Sequence, residues 1–560
     1  MYTSSDRCCK YQNWWDGRTP RAGHEKSQHK GDGSMVLPLP AFPPAPEFDP
    51  TQFALPPAYE DIDLEKAVLL GARRFSNAST LYQDSIAQKR YQLVIKADQD
   101  SLHRPIPWHR RVIRCLRYSV LTVYRRLFTF VFTLNLIGVF LLLRQQQQRS
   151  HADRRQLCTT FAALASSNFL LAILVRQDYL VNLLFRTAWL VPWSAPSILR
   201  RLAARVYCYG GLHSGAAVAG TVWWIGFTSI TSWMLIREAS SFAVTVIAWS
   251  LLLLLLVILL LSLPTMRAKF HNTFEVTHRF LGWTSVALFW TQLLLLAHSA
   301  STPHQSITNI LLHDITFWNL TLLTFLLIYP WLRLRRWTFT AHVLSPHAIR
   351  LSFPHAIHRF SCLSISTSPL HEWHPFATFP SAAGPSMVIS NAGDWTRGII
   401  GAAQHHAALA RVASAQTGRK EEAVKMHFYI KSHPKAGVLS LSLLFPRVLI
   451  LTTGSGIGPA LSSLLERPVA QHARLIWSTR SPLKTYGSDI MALVDKADPN
   501  AIVLDTDHIG RPDLLEVVWR ESRRERVDAV FVLSNEKVVR WVVGGLEGRG
   551  VSAYGPIWDS

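Results

Sequence analysis

The stretch Val448-Leu-Ile-Leu-Thr-Thr-Gly454-Ser455-Gly456-Ile-Gly458-Pro459-Ala-Leu-Ser-Ser-Leu-Leu465 decides the fold of the C-terminal part of this chain. Its first residues are typical of a buried strand, and its last residues are typical of an apolar helix. The glycines permit a tight turn in which backbone N–H groups and a helix N-terminus can face a phosphate, and the proline favours the first helical turn. Glycines alone would also suit any strand-to-helix turn, but this order favours a dinucleotide site.

The next strand, Arg474-Leu-Ile-Trp-Ser-Thr-Arg480, ends where the ribose of a dinucleotide is expected. Arg480 with Ser478 could bind a 2′-phosphate, because guanidinium and phosphate match as a bidentate pair. This favours NADPH over NADH. The alternative is that Arg480 is an ordinary surface arginine. Further alternation of strands and helices to Ser560 predicts a small parallel sheet.

The chain also carries six long runs without Lys, Arg, Asp or Glu. A hydrocarbon layer of roughly 30 Å needs about 20 apolar residues in a helix, so each run predicts a membrane span. The runs are Leu127 to Leu143, Gln156 to Val175, Val206 to Ile236, Ala239 to Met266, Phe280 to Ala297 and Ile315 to Leu332.

The basic residues beside these runs predict their orientation. Eighteen arginines and lysines flank one side of the predicted spans and five flank the other, and basic flanks are retained in the cytoplasm. We therefore expect a multi-pass membrane protein with both termini cytoplasmic. The basic, Gln-rich loop from Arg144 to Arg155 is the one segment that this rule disfavours.

The distribution of charge and the cysteines argue against a nucleic-acid-binding protein, a disulfide-stabilised protein and a zinc protein. Much of the net charge of +22 lies in the membrane flanks, where it suits anionic headgroups, and no nucleic-acid reader motif is present. The six cysteines form no CxxC pair, which argues against a disulfide framework and a zinc site. The lipid bilayer and a small-molecule electron acceptor are the expected partners, and the oligomeric state stays open.

Two histidines lie at matching depth in the predicted spans. His213 lies near the start of the third span, and His278 lies about two turns past Lys269. Two neutral imidazoles on facing helices can be the axial ligands of a b-type haem. Gly210, Gly211 and Gly215 would let a flat macrocycle approach the helix. The alternative is that each histidine hydrogen-bonds a neighbouring helix.

The stretch from Arg267 to His278, with Phe274-Glu275 before the histidine, resembles the ligand-bearing span of ferric reductases and NADPH oxidases. Those families place a second histidine 13 or 14 residues further along each ligand helix. This chain has Gly226-Phe227 and Thr291-Gln292 at those positions. The resemblance therefore implies one inner haem, held by His213 and His278, and no outer haem.

The stretch His371-Glu-Trp-His-Pro-Phe-Ala-Thr378 resembles the His-Pro-Phe-Thr flavin motif of the same superfamily. The resemblance assigns FAD contacts to His374, Pro375, Phe376 and Thr378. Ala377 stands where relatives have threonine, and Thr378 comes one place later. As an alternative, His374-Pro375 is a simple strand start.

Ser390-Asn-Ala-Gly393-Asp-Trp-Thr396 resembles the part of the flavin barrel that approaches the pyrophosphate, which implies contacts from Gly393 and Thr396. Trp558 could cover the flavin as a terminal aromatic does in relatives, or could pack as a tail residue. The alanine-rich stretch from about Gly401 to Lys425, with His405 and His406, predicts a solvated surface helix.

Over residues 105–560 the motif order closely resembles fungal TmpA-like integral membrane flavoproteins, and a related cytoplasmic part ends certain fungal adenylate-forming reductases. The resemblance implies an all-α six-helix transmembrane bundle followed by a β-barrel flavin domain and an α/β nucleotide-binding domain. The expected parts are a largely disordered cytoplasmic region (1–100), a six-span ferric-reductase-like domain (105–336), an FAD-binding barrel (337–446) and an NAD(P)-binding domain (447–560).

These features predict a membrane-bound oxidoreductase that passes electrons from NADPH through FAD, and through one inner haem, to an unidentified acceptor. No acid, base or nucleophile is required for that chemistry, because the flavin converts electron pairs into single electrons. The alternative is a non-catalytic membrane sensor or signalling scaffold that kept the fold after losing the outer haem and part of the flavin motif.

Overall fold

The structure is a computed structural model that describes residues 108–116, 121–148, 154–237, 241–417, 423–431 and 433–557. These residues all belong to one compact unit. The expected disordered region 1–100 and Trp558 lie outside the described residues.

Six long helices occupy the first half of the described chain, and each overlaps one predicted span. They are α2 (Val123–Gln148), α3 (Arg154–Leu174), α6 (Gly210–Ile236), α7 (Phe242–Leu261), α9 (His271–Ala300) and α11 (Ile315–Leu332). Shorter helices connect them: α1 (Trp108–Cys115), α4 (Asp178–Trp189), α5 (Ser197–Ala203), α8 (Pro264–Lys269) and α10 (Ile307–His313).

Five of the six long helices are long and apolar enough to cross a membrane, and α6 is not among them. The α6 sequence is rich in Gly, Ser and Thr, and this helix packs against α2, α3 and α7. A helix surrounded by other helices can use small and weakly polar residues, because it presents little surface to lipid. Its lower hydropathy follows from its central position in the bundle.

Glycines bring α6 close to α2. A Cβ on Gly211 would overlap the carbonyl oxygen of Tyr124, and a Cβ on Gly215 would lie 2.9 Å from the carbonyl oxygen of Phe128. The Tyr124 hydroxyl is 2.6 Å from Ser214 Oγ across the same contact. The expectation that Gly211 and Gly215 make room for a macrocycle is therefore wrong, because these positions receive a helix backbone, as in small-xxx-small packing.

Side-chain amides link four helices of the bundle. Asn135 Oδ1 on α2 accepts hydrogen bonds from Asn168 Nδ2 on α3 and from Trp223 Nε1 on α6, both at 2.8 Å. Asn319 on α11 donates to the hydroxyls of Ser166 and Ser167 on α3. Such interhelical bonds fix the rotation of each helix, because an unpaired amide in an apolar bundle is costly.

An antiparallel, barrel-like sheet follows the helices. Its strands are β1 (Arg335–Ser345), β2 (Ala348–Ser352), β3 (Ser361–Ser366), β4 (His374–Ala377), β5 (Ser386–Ser390), β6 (Val424–Ile430) and β7 (Lys435–Ala436). The strand order is β4-β3-β6-β1-β2-β5, and β7 pairs with β3.

One helix, α12 (Asp394–Thr417), crosses this sheet, and its Ile399, Ile400 and Ala403 pack into the sheet core. The predicted surface helix from about Gly401 therefore begins seven residues earlier, at the flavin-like motif. Alternate buried residues such as Phe339 and Phe428 complete the core.

The C-terminal part is a parallel sheet with helices on both faces. The strands are β8 (Arg447–Thr453), β9 (His472–Thr479), β10 (Ile502–Asp505), β11 (Ala529–Leu533) and β12 (Ala553–Tyr554). The helices are α13 (Ile457–Leu465), α14 (Pro482–Ala497), α15 (Thr506–Ile509), α16 (Leu514–Arg524) and α17 (Glu536–Gly548).

The strand order β10-β9-β8-β11-β12 confirms the predicted α/β arrangement. The chain winds outward from β8 in one direction and then returns to place β11 on its other side. The carboxyl ends of β8 and β11 therefore form the topological switch point, where open α/β sheets bind their ligands.

The connection between α3 and α6, residues 178–209, joins the helices to both sheets. Asn182 Nδ2 donates to the carbonyl of Pro434, and Asn182 Oδ1 accepts from the backbone N–H of Ala436, both at 2.9 Å. The Trp193 indole donates to the Leu443 carbonyl at 2.8 Å. Val181, Phe185 and Ala188 join the hydrophobic core of the parallel sheet, so this connection is a structural part of the C-terminal half.

We predict that Gly211→Ala destabilises the protein by about 1–3 kcal/mol, because the new Cβ overlaps a backbone carbonyl that cannot move without shifting α2. The matched control is Gly282→Ala on α9, where a Cβ meets nothing within 4 Å; it should be neutral or stabilising by up to about 1 kcal/mol. Thermal unfolding of the detergent-purified variants measures both. Equal midpoints for the two variants would contradict the packing described for α2 and α6.

Candidate functional site

The glycine turn after β8 lies at the topological switch point. Gly454 has a φ of +51°, a value that favours glycine, and its carbonyl accepts a hydrogen bond from Trp477 Nε1 at 2.9 Å. A Cβ on Gly456 would overlap Thr452 Oγ1 and lie 3.0 Å from the Leu533 carbonyl oxygen. These two glycines are therefore required by the backbone path, and the turn places the N-terminus of α13 at the carboxyl end of β8.

The rest of the turn faces the antiparallel sheet. Gly458 lies in the first turn of α13, and a Cβ there would be 3.8 Å from Val388 Cβ on β5, an ordinary van der Waals distance. Pro459 follows it in the same turn, and Ser455 lies in the 3₁₀ turn that precedes α13. That 3₁₀ turn contacts β5, and α13 contacts β4. The predicted dinucleotide turn and the predicted flavin strand are therefore neighbours.

Hydroxyl groups line the switch point. Thr453 Oγ1 at the end of β8 is 2.5 Å from Ser534 Oγ after β11. Asn535 Oδ1 accepts from the N–H of Val538 and caps α17. The Tyr486 hydroxyl lies close to Gly454, and burial raises the pKa of Tyr486 to about 12, so the phenol stays neutral.

The two residues predicted to bind a 2′-phosphate have different surroundings. Ser478 is buried, whereas the Arg480 side chain is 75% exposed and its Nε lies 3.9 Å from Asp507 Oδ1. Asp507 also accepts from Ser481 Oγ at 2.8 Å. Sequence reasoning missed Asp507, because the carboxylate lies on α15, 27 positions after Arg480 in the chain. Of these two residues, Arg480 is the one that a ligand can reach. The Asp507 carboxylate beside it would compete with a phosphate for the guanidinium.

The predicted flavin strand β4 is covered by a tryptophan. The rings of His374 and Trp395 are 4.2 Å apart between centroids, and Phe376 and Trp395 are stacked at 6.1 Å. His374 Nε2 is buried and has no hydrogen-bond partner among the described residues, and Pro375 is exposed. Trp395 is a site residue that sequence reasoning did not select, although it stands within the Gly-Asp-Trp-Thr motif.

The threonines of the two flavin-like motifs bond to the backbone. Thr378 is buried, and its hydroxyl donates to the Ser361 carbonyl at 3.0 Å. Thr396 Oγ1 accepts from the N–H of Gly393 at 3.0 Å and closes the turn that starts α12. Both hydroxyls serve the fold, so a flavin contact in which Thr378 donates would need its bond to Ser361 to break.

The two predicted haem ligands face each other. The ring centroids of His213 on α6 and His278 on α9 are 6.3 Å apart, with an angle of 62° between the planes. Metal–nitrogen bonds of about 2 Å on both sides of one ion place two imidazole centroids roughly 6 Å apart. His213 Nδ1 lies 2.8 Å from the Ala172 carbonyl, and His278 Nδ1 is buried with no partner in the described chain. The distance and the fixed tautomer of His213 fit axial ligation.

Aromatic side chains fill the bundle about 10 to 14 residues beyond this pair. Phe227 is fully buried and stacks on Trp224 at 4.4 Å, and Phe289 meets Trp224 edge-on at 4.7 Å. A Cβ on Gly226 would overlap the ring of Phe161, which packs on Trp223. We call Phe161, Trp223, Trp224, Phe227 and Phe289 the aromatic cluster. It occupies the level at which the resemblance to ferric reductases would place a second haem.

Comparison with known proteins gives sequence relatives and distant structural neighbours. Residues 438–560 match the family described as "Adenylate-forming reductase 03009, C-terminal domain". Adenylate-forming reductase 06235 of Coprinopsis cinerea is 34% identical over 455 residues, 80% of this chain and 41% of that protein. Adenylate-forming reductase 03009 of the same fungus is 33% identical over 467 residues, 82% of this chain and 42% of that protein. This chain spans about two fifths of the length of these curated relatives.

Among solved structures, a flavohemoglobin from Malassezia yamatoensis with bound FAD and heme is 13% identical, with a TM-score of 0.30 over 73% of this chain and 99% of that one. A ferredoxin-NADP+ reductase from Plasmodium falciparum with 2'P-AMP is 10% identical, with a TM-score of 0.26 over 40% of this chain and 95% of that one. These scores are too low to bear on function.

We predict that Gly456→Ala weakens NADPH binding by about tenfold or more, because its Cβ would displace Thr452 and the Leu533 carbonyl. Gly458→Ala is the matched control and should bind as the unaltered protein does, since its Cβ has room beside Val388. Isothermal titration of both purified variants with NADPH checks this. Equal affinities would show that the glycine turn does not form the dinucleotide site.

Proposed function

We propose that this chain is a membrane-bound flavoprotein oxidoreductase that takes electrons from NADPH. The observation that carries the proposal is the contact of the glycine turn 454–456 with β5 and of α13 with β4. A dinucleotide at the switch point is thereby adjacent to the strand with His374, Pro375 and Phe376. The similarity to proteins named adenylate-forming reductases supports a reductase, and the antiparallel sheet followed by a parallel sheet suits FAD and NADP binding.

Membrane insertion is part of the proposal. Five helices have the length and hydropathy of spans, and α2 and α7 expose large apolar side chains, including Phe130, Phe140 and Leu253. Such extended apolar surface suits lipid and is unfavourable in water. With the arginine bias of the flanks, the proposal is a multi-pass membrane protein with both termini cytoplasmic.

His213 and His278 would hold one b-type haem, with the Ala172 carbonyl fixing the ring of His213. His374 and Phe376 would contact FAD, and the turn at Gly454 and Gly456 would hold the NADPH phosphates. Bound there, the dinucleotide supplies a hydride, the flavin divides the electron pair, and the haem carries single electrons. The side chains of this chain bind and orient these groups, and none has to move a proton.

A non-catalytic membrane scaffold is the second candidate. It is favoured by Trp395, which covers His374, and by the Thr378 hydroxyl, which already bonds to Ser361. Both features would fill a flavin site that had lost its ligand. The two candidates differ in whether the purified protein carries cofactors.

The test is the absorption spectrum of the detergent-purified full chain with and without NADPH, together with its flavin and pyridine-haem content. The proposal expects bound flavin that NADPH bleaches and a haem Soret band that shifts on reduction. His278→Ala should abolish haem and spare flavin. His298→Ala, at the far end of the same helix, is the matched control and should keep both cofactors.

A colourless protein would favour the scaffold over the enzyme. Full haem content in His278→Ala would contradict the ligand assignment and leave the flavin part of the proposal intact.

Dinucleotide choice is tested at Arg480. Arg480→Gln should reduce the preference for NADPH over NADH by about tenfold, because a charge-assisted pair with the 2′-phosphate is lost. Asp507→Asn should raise that preference, because it removes the carboxylate beside Arg480. The measurement is the rate of flavin reduction by NADPH divided by the rate of flavin reduction by NADH, for each variant. If neither substitution changes the preference for NADPH over NADH, Arg480 does not bind the 2′-phosphate.

A further inference from the structure

The loop between β3 and β4, residues 367–373, is bonded to the helix that carries His278. Arg279 on α9 directly follows this histidine in the chain. Its Nη1 donates to the carbonyl of Leu370 at 2.6 Å and to the carbonyl of His371 at 2.9 Å. Hydrogen bonds from a charged donor are stronger than neutral ones, so one guanidinium nitrogen fastens two consecutive peptides of this loop to α9.

A second cation holds the next part of the loop. Lys431, directly after β6, has its ammonium 4.4 Å from the ring centroid of Trp373 and 4.9 Å from that of Trp331 at the end of α11. Both distances are within the range of cation–π attraction. The Trp373 indole also donates to the Pro369 carbonyl at 3.0 Å, which closes the loop on itself.

The charge of Lys431 persists at neutral pH. Burial, with Arg279 and Lys435 nearby, lowers the pKa of Lys431 to about 8. The ammonium is therefore still mostly protonated at pH 7 and can attract both indole faces.

The held loop leads directly into the predicted flavin strand, because Trp373 precedes His374. The first turns of α9 pass close to this strand. Burial lowers the pKa of His374, and the carboxylates of Glu372 and Glu275, the latter on α9, act in the opposite direction. The loop, the strand and the helix with His278 thus meet at one junction.

A surface loop of this length would otherwise be mobile, because few buried apolar contacts order it. Electron transfer between two groups becomes slower as the distance between them increases, so their separation has to be fixed. The two cations act on the only chain segment that joins β3 to β4. Their contacts therefore tie this segment to α9 and α11, while β4 itself is also paired with β3.

We propose that Arg279 and Lys431 are positioning residues that fix the strand carrying His374, Pro375 and Phe376 at a set distance from His278. This inference rests on the proposed function, in which that strand holds the flavin and His278 holds the haem. Neither cation touches a reacting atom. Each acts through residues 370–373.

The test compares Arg279→Met with Arg335→Met in the full chain. Arg335 is a matched control at the start of β1, and its side chain donates to the carbonyl of its own neighbour, Leu334. In Arg279→Met, amide hydrogen exchange of residues 368–377 should become about tenfold faster or more, whereas Arg335→Met should leave it unchanged. This measurement needs no reductant and no electron acceptor.

Rapid-mixing kinetics supply the second readout. In Arg279→Met, NADPH should reduce the flavin at an unchanged rate, while haem reduction should slow severalfold with unchanged haem and flavin content. Arg279→Lys keeps a charged donor and should recover part of that loss. Lys431→Met should produce the same pattern with a smaller effect.

Unchanged hydrogen exchange together with unchanged haem reduction in Arg279→Met would overturn the proposal, as would equal slowing of flavin and haem reduction. If Arg279→Met loses haem or fails to fold, the same two measurements on Lys431→Met test the proposal, since Lys431 is remote in sequence from His278. Failure of the proposed function would be seen separately, because the unaltered protein would then lack flavin or haem. The hydrogen-exchange measurement would still test whether Arg279 holds the loop.

Discussion

The connection between α3 and α6 is the constraint on which the rest of the structure depends. The Asn182 side chain bonds to Pro434 and to Ala436 next to the antiparallel sheet, and Arg205 pairs with Glu547 and lies over the ring of Tyr554 in the parallel sheet. The helices and both sheets are thus held by residues from one short segment. Together with the contacts of Arg279 and Lys431, this docking holds the histidine pair and the glycine turn within one compact unit.

A second constraint acts within the sheets. Gly456 packs against Thr452 and Leu533, and the first turn of α13 rests on Val388 of β5. The turn can follow this path because glycine at position 456 leaves room for the two neighbouring strands. Trp395, whose ring centroid lies 4.2 Å from that of His374, covers one face of the predicted flavin strand. A flavin stacked on His374 at that face would have to displace the indole.

The sequence predicted the elements better than their contacts. Periodicity and charge-free runs predicted the six long helices and the strand–turn–helix at Gly454, because these signals are local. The charge-free run begins at Phe280, yet α9 begins at His271 and includes Arg279, which bonds to the carbonyls of Leu370 and His371. The roles of Arg279, Trp395 and Asp507 could not be predicted from local patterns. Arg279 and its acceptor Leu370 are 91 residues apart in the chain, and their contact depends on how the sheet docks on the bundle.

The aromatic cluster limits where electrons can go under the proposed function. His213 and His278 lie near the starts of α6 and α9, and the level about 20 Å further along these helices is filled by Trp224, Phe227 and their neighbours. Close-packed side chains leave no room for a second macrocycle there without rearrangement of the bundle. Gln292 lies at the same level, buried and without a hydrogen-bond partner among the described residues, so an amide stands where an outer iron would need an imidazole. Under the proposed function, an electron at the inner histidine pair would therefore meet a bundle interior filled by aromatic side chains over the described residues.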